Sequence, residues 1–380
     1  MTEAKGTIIS KKQCRTGYSR SKPKRLLLVC LTDTWGGVEK NVLVRAKHLQ
    51  KRGWTVGVIL VENTFEDKFN DCPNVFSVPR KSHILDFRAP IMLHRIVATF
   101  KPTSLFVARK EDWFIGTACA WLNRIPKIVC YLGINRRIRN SIKYLLIFKR
   151  WRAWLLTNSQ EVRQNVIQHN FFLNHLNTRV IYNGFDMPLL QDQRKESISH
   201  KTLIPEGSWV VGCAGRLSRQ KGFDLLVDIV PLTDESVHVM IAGDGPEENQ
   251  LRRLVNERGL ASRIHFLGHV SDMSDFFTSI SCFALISRNE GMANVLNEAL
   301  SYGIPVISTR VPGSRELLIE GIGILVEIEN VEAIADAIES YRTRRVIFDR
   351  QRARQRIATL FNLNRMIEET EQLLLSSQSR

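Results

Sequence analysis

The 380-residue chain has no uninterrupted run of 18 apolar residues, so its sequence offers no bilayer-spanning helix. Its seven cysteines, Cys14, Cys30, Cys72, Cys119, Cys130, Cys213 and Cys282, never fall at C-x-x-C spacing. That argues against a zinc ribbon or a disulfide framework and predicts a reduced, intracellular setting. His48, His94, His169, His238 and His265 form no ligand spacing and read as structural or exposed residues. No Asp-x-Asp pair occurs, so the sequence lacks the two carboxylates that would bridge a metal to a diphosphate. The basic start of the chain is not followed by an apolar stretch, unlike a secretory signal, and residues 1–24 read as a loosely ordered basic tail.

Acidic residues are scarce in one half only. Residues 1–190 hold 32 Lys and Arg against 12 Asp and Glu, a net +20. Residues 191–380 hold 22 against 26, a net −4. The first half should therefore face something anionic: nucleic acid, an acidic membrane or an acidic acceptor molecule.

What is present is a repeating α/β pattern. Leu26 to Leu31 is a short, continuous apolar run, as expected of a strand buried on both faces. A Gly36-Gly37 loop, a helical stretch from Val38 to Arg52 and a strand at Val56 to Val61 follow, opening a parallel sheet. Further strands are predicted at 75–78, 104–108, 127–131 and 154–158. A polar linker at 191–207 precedes a second series at 209–214, 237–242, 264–267, 282–286 and 305–308, and a helix over 364–375 ends the chain. Two doubly wound domains facing a cleft follow, with ligands expected outside the carboxyl ends of the strands.

Two loops there carry chemistry. Gly215-Arg216-Leu217-Ser218-Arg219-Gln220-Lys221-Gly222 follows a buried strand, and Gly215 permits close backbone approach beside two cations suited to a diphosphate. Read from spacing alone, a solvated turn is as good an account. The segment Ser287 to Leu300 also follows a buried strand and opens a helix, whose first N–H groups suit a phosphate or sugar hydroxyls. Glu290 and Glu298 stand at E-x7-E spacing, with Glu298 one turn along from Asn294.

Together these segments, GRLSRQKG and EGMANVLNEALSYGIPVIST, resemble the donor domain of retaining glycosyltransferases of family 4, which have the GT-B architecture. IAGDGPEENQLRRL, IHFLGHVSDMSDFF, the Gly36-Gly37-Val38-Glu39 loop, TNSQEV and VIYNGFD match in order, so the resemblance spans residues 25–375. It implies a basic tail at 1–24, an acceptor-side domain at 25–187, a donor domain at 188–363 and a helix at 364–380 crossing back to the first domain. It implies that Arg216 and Lys221 bind the diphosphate, that Glu298 takes the ribose hydroxyls, and that Glu290 with the backbone of Gly291, Met292, Ala293, Asn294 and Val295 holds the sugar. Gly37 and Gly215 would approach the phosphates, and Gly243, Gly245 and the 266–268 backbone would line the base pocket. The implied activity is a metal-independent, retaining hexosyl transfer, with no cofactor, from a nucleotide-sugar donor, UDP ahead of GDP. The implied acceptor is a cell-envelope glycan or glycolipid such as lipopolysaccharide core. Ala293 departs from the family's usual proline. The histidine that many members carry after the strand at 127–131 is replaced by Tyr131-Leu132-Gly133-Ile134-Asn135-Arg136, leaving Asn135 and Arg136 as alternatives.

Residues 139–154 interleave Lys143, Lys149, Arg150 and Arg152 with Trp151 and Trp154. They read either as a core helix with snorkelling cations or as a helix lying on an anionic bilayer. With Lys11, Lys12, Lys22 and Lys24 in support, the charge asymmetry predicts a peripheral protein on the inner face of the cytoplasmic membrane. A GT-B sugar-nucleotide epimerase is the alternative within the enzymes. A nucleic-acid-binding protein is the alternative outside them, although nothing resembles a recognition helix and no nucleic-acid partner is expected.

Overall fold

The computed structural model describes residues 23–79, 88–185, 204–270, 272–292 and 294–376. Lys11, Lys12 and Lys22 of the tail, the expected 187/188 boundary, most of the 191–207 linker and Ala293 lie outside the described residues.

The first sheet holds β1 (Arg25–Val29), β2 (Thr55–Val61), β3 (Asn74–Val78), β4 (Ser104–Val107), β5 (Lys127–Leu132), β6 (Trp154–Thr157) and β7 (Thr178–Val180). All its pairings are parallel, in the order β3-β2-β1-β4-β5-β6-β7. The apolar run of β1 is continuous because both of its faces are covered. Leu27 and Val29 pack with Leu93, Val97 and Phe100 of the helix Arg88–Phe100. Leu26 and Leu28 pack with Val42, Ala46 and Leu49 of the helix Gly37–Lys51.

The second sheet holds β8 (Trp209–Ala214), β9 (Val237–Ala242), β10 (Ile264–Gly268), β11 (Cys282–Leu285), β12 (Val306–Thr309) and β13 (Gly323–Val326), again parallel, in the order β10-β9-β8-β11-β12-β13. The edge strands β7 and β13 escaped the sequence reading. An edge strand is buried less and needs no apolar run: β7 is three residues with Arg179 exposed, and β13 starts on a glycine.

Strand order reverses between β1 and β4 in the first sheet and between β8 and β11 in the second. Loops leaving neighbouring strands diverge there and open a crevice.

The chain crosses between the domains twice, and the crossings touch. The helix Arg350–Leu360 packs Ala353 and Ile357 on the second domain. Asn362 then caps the helix Leu363–Leu375, its side chain accepting from Arg365 N–H, and that helix lays Met366, Ile367, Leu373 and Leu374 on the first domain. Phe185 N–H donates to Phe361 O at 2.7 Å. At Gly184 a Cβ would lie 2.6 Å from Leu363 Cα, so only glycine fits. The terminal helix is clamped through Glu371, which accepts from Trp54 Nε1 and Lys24 Nζ at 2.9 Å each and lies 3.4 Å from Arg52. Lys127 donates to Ser376 Oγ at 2.7 Å and lies 4.0 Å over the Trp154 ring, and burial pulls its ammonium down to about 8.

The single helix expected over 139–154, whether core or membrane-lying, is corrected in its extent. The helix covers only Ile142–Leu145, widens into a π-turn over Leu146–Arg150, and ends where Arg152 takes a φ of 54°. Trp151 packs with Leu155 on one face of the sheet, whereas Trp154 packs with Leu156 on the other. Strand alternation separates the two indoles, so Trp154 does not belong to the proposed contact surface.

Glu371→Ala should cost about 1–3 kcal/mol, because it strands the Trp54 indole N–H and unclamps the terminal helix. Chemical denaturation followed by tryptophan fluorescence should show a lower midpoint with an unchanged slope.

Candidate active site

Loops leaving β8, β9 and β10 are laced by backbone hydrogen bonds. Gly215 N–H donates to Ala242 O at 2.9 Å, Leu217 N–H to Asp244 O at 2.7 Å, and Gly243 N–H to Gly268 O at 2.7 Å. The lacing requires glycine: at Gly243, with φ 141°, a Cβ would lie 2.0 Å from Gly215 O, and at Gly245 2.3 Å from Leu217 O.

The loops after β8 and β11, flanking the strand-order reversal, are joined more strongly. Lys221 Nζ donates to the Glu290 carboxylate, which Ser287 Oγ also approaches at 3.3 Å. Both charged side chains are largely removed from water. Arg288 grips both oxygens of Asp224 at 2.7 Å and reaches Glu329 at 2.6 Å and Arg219 O at 2.8 Å. The Asp224 carboxylate, followed by Glu329, raises the Arg288 guanidinium further above its ordinary value, despite the cost of burial. Gln220 Nε2 donates to Asn289 O at 2.7 Å, and Arg288 N–H to Gln220 O at 2.8 Å. The two sequence motifs thus form one rigid unit. Arg216 is exposed beside it and makes no ion pair among the described residues.

Across the cleft, Gly291 is wedged between backbones. A Cβ there would lie 2.0 Å from Gly133 O of the first domain, and one at Gly313 would lie 2.3 Å from Gly291 O. Met292 buries its side chain in the second core, leaving only its backbone for a ligand, and Val295 packs half-buried on the same core.

The N-termini of the helix Asn294–Ser301 and of the first-domain helix Gly37–Lys51 lie next to each other: a Cβ on Gly37 would lie 3.9 Å from Asn294 Nδ2. Two positive dipole ends therefore meet at the crevice. A chain of amides crosses it. Asn41 Nδ2 donates to Asn183 Oδ1 at 2.6 Å, Tyr131 OH donates to the same oxygen at 3.2 Å, and Asn183 Nδ2 donates to Asn294 Oδ1 at 2.9 Å. Glu298 lies one turn further along. Burial raises its carboxyl above the ordinary value, and Lys40 of the opposite domain opposes the shift.

The structure thus gathers Gly37, Gly215, Lys221, Glu290, Gly291, Asn294 and Glu298 around one crevice, with Gly243 and Gly245 packed behind the β8 loop. Sequence reasoning missed Lys40, Asn41 and the Arg288–Asp224 strut. Arg288 stood inside a quoted motif, whereas Lys40 and Asn41 carried no signal beyond their place on the helix after Gly37.

Comparison with known proteins agrees with this geometry. Residues 35–188 match the model described as Glycosyltransferase Family 4, and residues 194–358 match the model described as Glycosyl transferases group 1. An O-antigen biosynthesis glycosyltransferase of Escherichia coli is 27% identical over 175 residues, covering 46% of this chain and 49% of that protein. A lipopolysaccharide core biosynthesis glycosyltransferase of Rhizobium meliloti is 33% identical over 136 residues, 36% of this chain and 40% of that protein. The chain thus spans about half the length of these curated relatives. The crystal structure of Anabaena HepE in complex with UDP and glucose superposes with a TM-score of 0.79 at 22% identity, over 92% of this chain and 99% of that one. Two parallel Rossmann-like sheets, a crevice at their strand-order reversals and matches over both halves lead to one conclusion: the chain belongs to the family 4 glycosyltransferases and has the GT-B fold.

Proposed function

We propose that this protein transfers a hexose from a nucleoside diphosphate donor to an acceptor hydroxyl, with retention of the donor's anomeric configuration. The observation that carries the reading is the joining of Lys221 and Glu290 at the reversal of the second sheet, opposite the N-terminus of the Gly37–Lys51 helix. In this reading Arg216 and Lys221 meet the charge that develops on the departing diphosphate, and the two helix N-termini add to them. Glu290, held by Lys221 until donor arrives, turns to the sugar hydroxyls, and Glu298 accepts from the ribose. The acceptor oxygen attacks from the face the diphosphate leaves, and its proton passes to a departing phosphate oxygen. UDP is the favoured carrier, in keeping with the UDP in the Anabaena complex. A cell-envelope glycan or glycolipid is the favoured acceptor, in keeping with the relatives named for O-antigen and lipopolysaccharide core biosynthesis.

We also place the protein peripherally on an anionic membrane face, through a flank of the first domain. Ile142 and Leu122 are 77% and 61% exposed there, near the exposed Phe114, Trp121 and Leu145. Arg150 sits 5.0 Å from the Trp121 ring and Lys143 5.9 Å from the Phe114 ring. Trp121, Lys149, Arg150, Trp151 and Arg152 line a cavity of about 560 Å³ on this flank. Exposed apolar groups interleaved with cations suit a headgroup layer.

Arg216→Ala should lower turnover with acceptor present about 10- to 100-fold, the worth of a charge-assisted contact of ~1.5–3 kcal/mol, without lowering stability. Lys221→Ala should lose both, since it also leaves the buried Glu290 carboxylate unpaired. Near-normal turnover in both variants would sink the diphosphate assignment.

Acceptor-dependent release of UDP should persist in excess EDTA, and NMR of the product should show the donor's anomeric configuration. Strict dependence on added Mg²⁺ or Mn²⁺, or inversion, would contradict the mechanism.

The protein should float with vesicles containing anionic lipid, release as salt shortens the screening length, and ignore neutral vesicles. Equal flotation with both kinds of vesicle, or with neither at low salt, would remove the membrane from the reading.

A further inference from the structure

The first domain presents its own cations to the crevice, on loops the donor does not need. β5 ends at Leu132, and the next residue, Gly133, touches the sugar loop through Gly291. Asn289 Nδ2 of that loop reaches Asn135 O at 3.4 Å, so the segment after β5 is seated against the reacting end of the donor site. Arg136, Arg137 and Arg139 follow at once. Arg136 is three residues from Gly133, a backbone span of at most about 10 Å, and all three arginines are exposed.

The loop after β4 adds Lys110, whose ammonium donates to Arg137 O at 2.6 Å and lies 5.7 Å from the Tyr144 ring. Burial, followed by the positive charge of Arg136, Lys143 and Arg139, lowers the Lys110 ammonium from its ordinary value, against the pull of Glu111. Carboxylates are few. Glu111 serves both Arg136 at 2.8 Å and Arg109 at 3.8 Å. Asp112 is engaged with Leu31 N–H at 3.1 Å. Among the described residues, Arg137 and Arg139 have no carboxylate partner.

These cations are not part of the diphosphate site, which lies on the second domain, nor do they line the cavity beside Trp121 and Trp151. Lys110 follows β4, at the strand-order reversal of the first sheet, and the arginines follow the neighbouring β5, beside the loop that carries Gly291. Like charges crowded at a binding edge repel one another until an anion arrives.

We propose that Lys110, Arg136, Arg137 and Arg139 form a subsite for an anionic substituent, phosphate or carboxylate, carried by the acceptor saccharide next to the hydroxyl that receives the sugar. This rests on the glycosyltransferase reading and names the class of its acceptor. The substituent lies on the crevice side of the domain, so the subsite works on a soluble acceptor fragment with no membrane present.

The test is a calorimetric titration of the full chain, first with UDP and then, with UDP saturating, with four probes: mannose 6-phosphate, mannose, galacturonate and galactose. Inorganic phosphate serves as a fifth, to separate a sugar-borne anion from a free one. Both charged sugars should bind roughly tenfold tighter than their neutral counterparts and tighter than inorganic phosphate. The Arg137→Ser/Arg139→Ser double variant and, separately, Lys110→Gln should each erase most of that preference and leave UDP affinity unchanged. Equal binding of charged and neutral sugars, or a preference retained in both variants, overturns the subsite. If the preference is retained while the double variant no longer floats with anionic vesicles, the arginines belong to the membrane surface instead. UDP bound without any preference for charged sugars overturns the subsite alone, and failure to bind UDP overturns the donor site and the subsite with it.

Discussion

The Lys221–Glu290 ion pair is the contact on which the rest of the site depends. It lies where the second sheet reverses its strand order, and it draws the loops after β8 and β11 together over the crevice. Neither charge is stable alone at that depth, since an unpaired buried charge costs several kcal/mol. The two loops therefore stand or fall as one, and the neighbouring interactions follow from this. The Arg288–Asp224 strut and the Gln220–Asn289 bond hold the loops from outside, while glycines at 215, 243 and 245 let the backbones behind them close. The pair is also a natural place for a ligand to act. In the proposed reading, an anionic group arriving at Lys221 would compete with Glu290 and free the carboxylate for hydroxyl groups.

Much of this was legible in the sequence because it rests on local rules. Continuous apolar runs marked strands buried on both faces, and glycines after those runs marked places where backbone must approach backbone. The motifs GRLSRQKG and EGMANVLNEALSYGIPVIST each named a loop, and the structure brought the two together. What could not be read depends on tertiary placement. Lys127 looked like the first residue of an ordinary strand, yet it is buried under Trp154 and holds the end of the terminal helix. The His238–His265 contact, Nδ1 to Nε2 at 3.1 Å, joins residues 27 apart that became neighbours only when β9 and β10 paired. The basic and aromatic residues of 139–154 suggested one surface, but the return to a strand at Trp154 sent two nearby indoles to opposite sides of the sheet.

The distribution of charge follows the division of labour. The half that holds the proposed donor site carries a net −4; in that reading two cations, with one helix end from each domain, are enough to meet one diphosphate. The other half carries its surplus both on a flank with exposed aromatic rings and on the loops after β4 and β5, and the two meet at Tyr144, whose ring lies 5.7 Å from Lys110 and 5.4 Å from Lys143.

The amide chain from Asn41 through Asn183 to Asn294 joins the two domains across the crevice through one oriented side chain. Asn183 Oδ1 already receives two hydrogen bonds from its own domain, from Asn41 and Tyr131, and these fix the orientation of its amide plane. Its amide N–H is therefore aimed at the second domain by contacts within the first. The bond to Asn294 is directed by a group already held in place, so forming it need not freeze another rotor on Asn183.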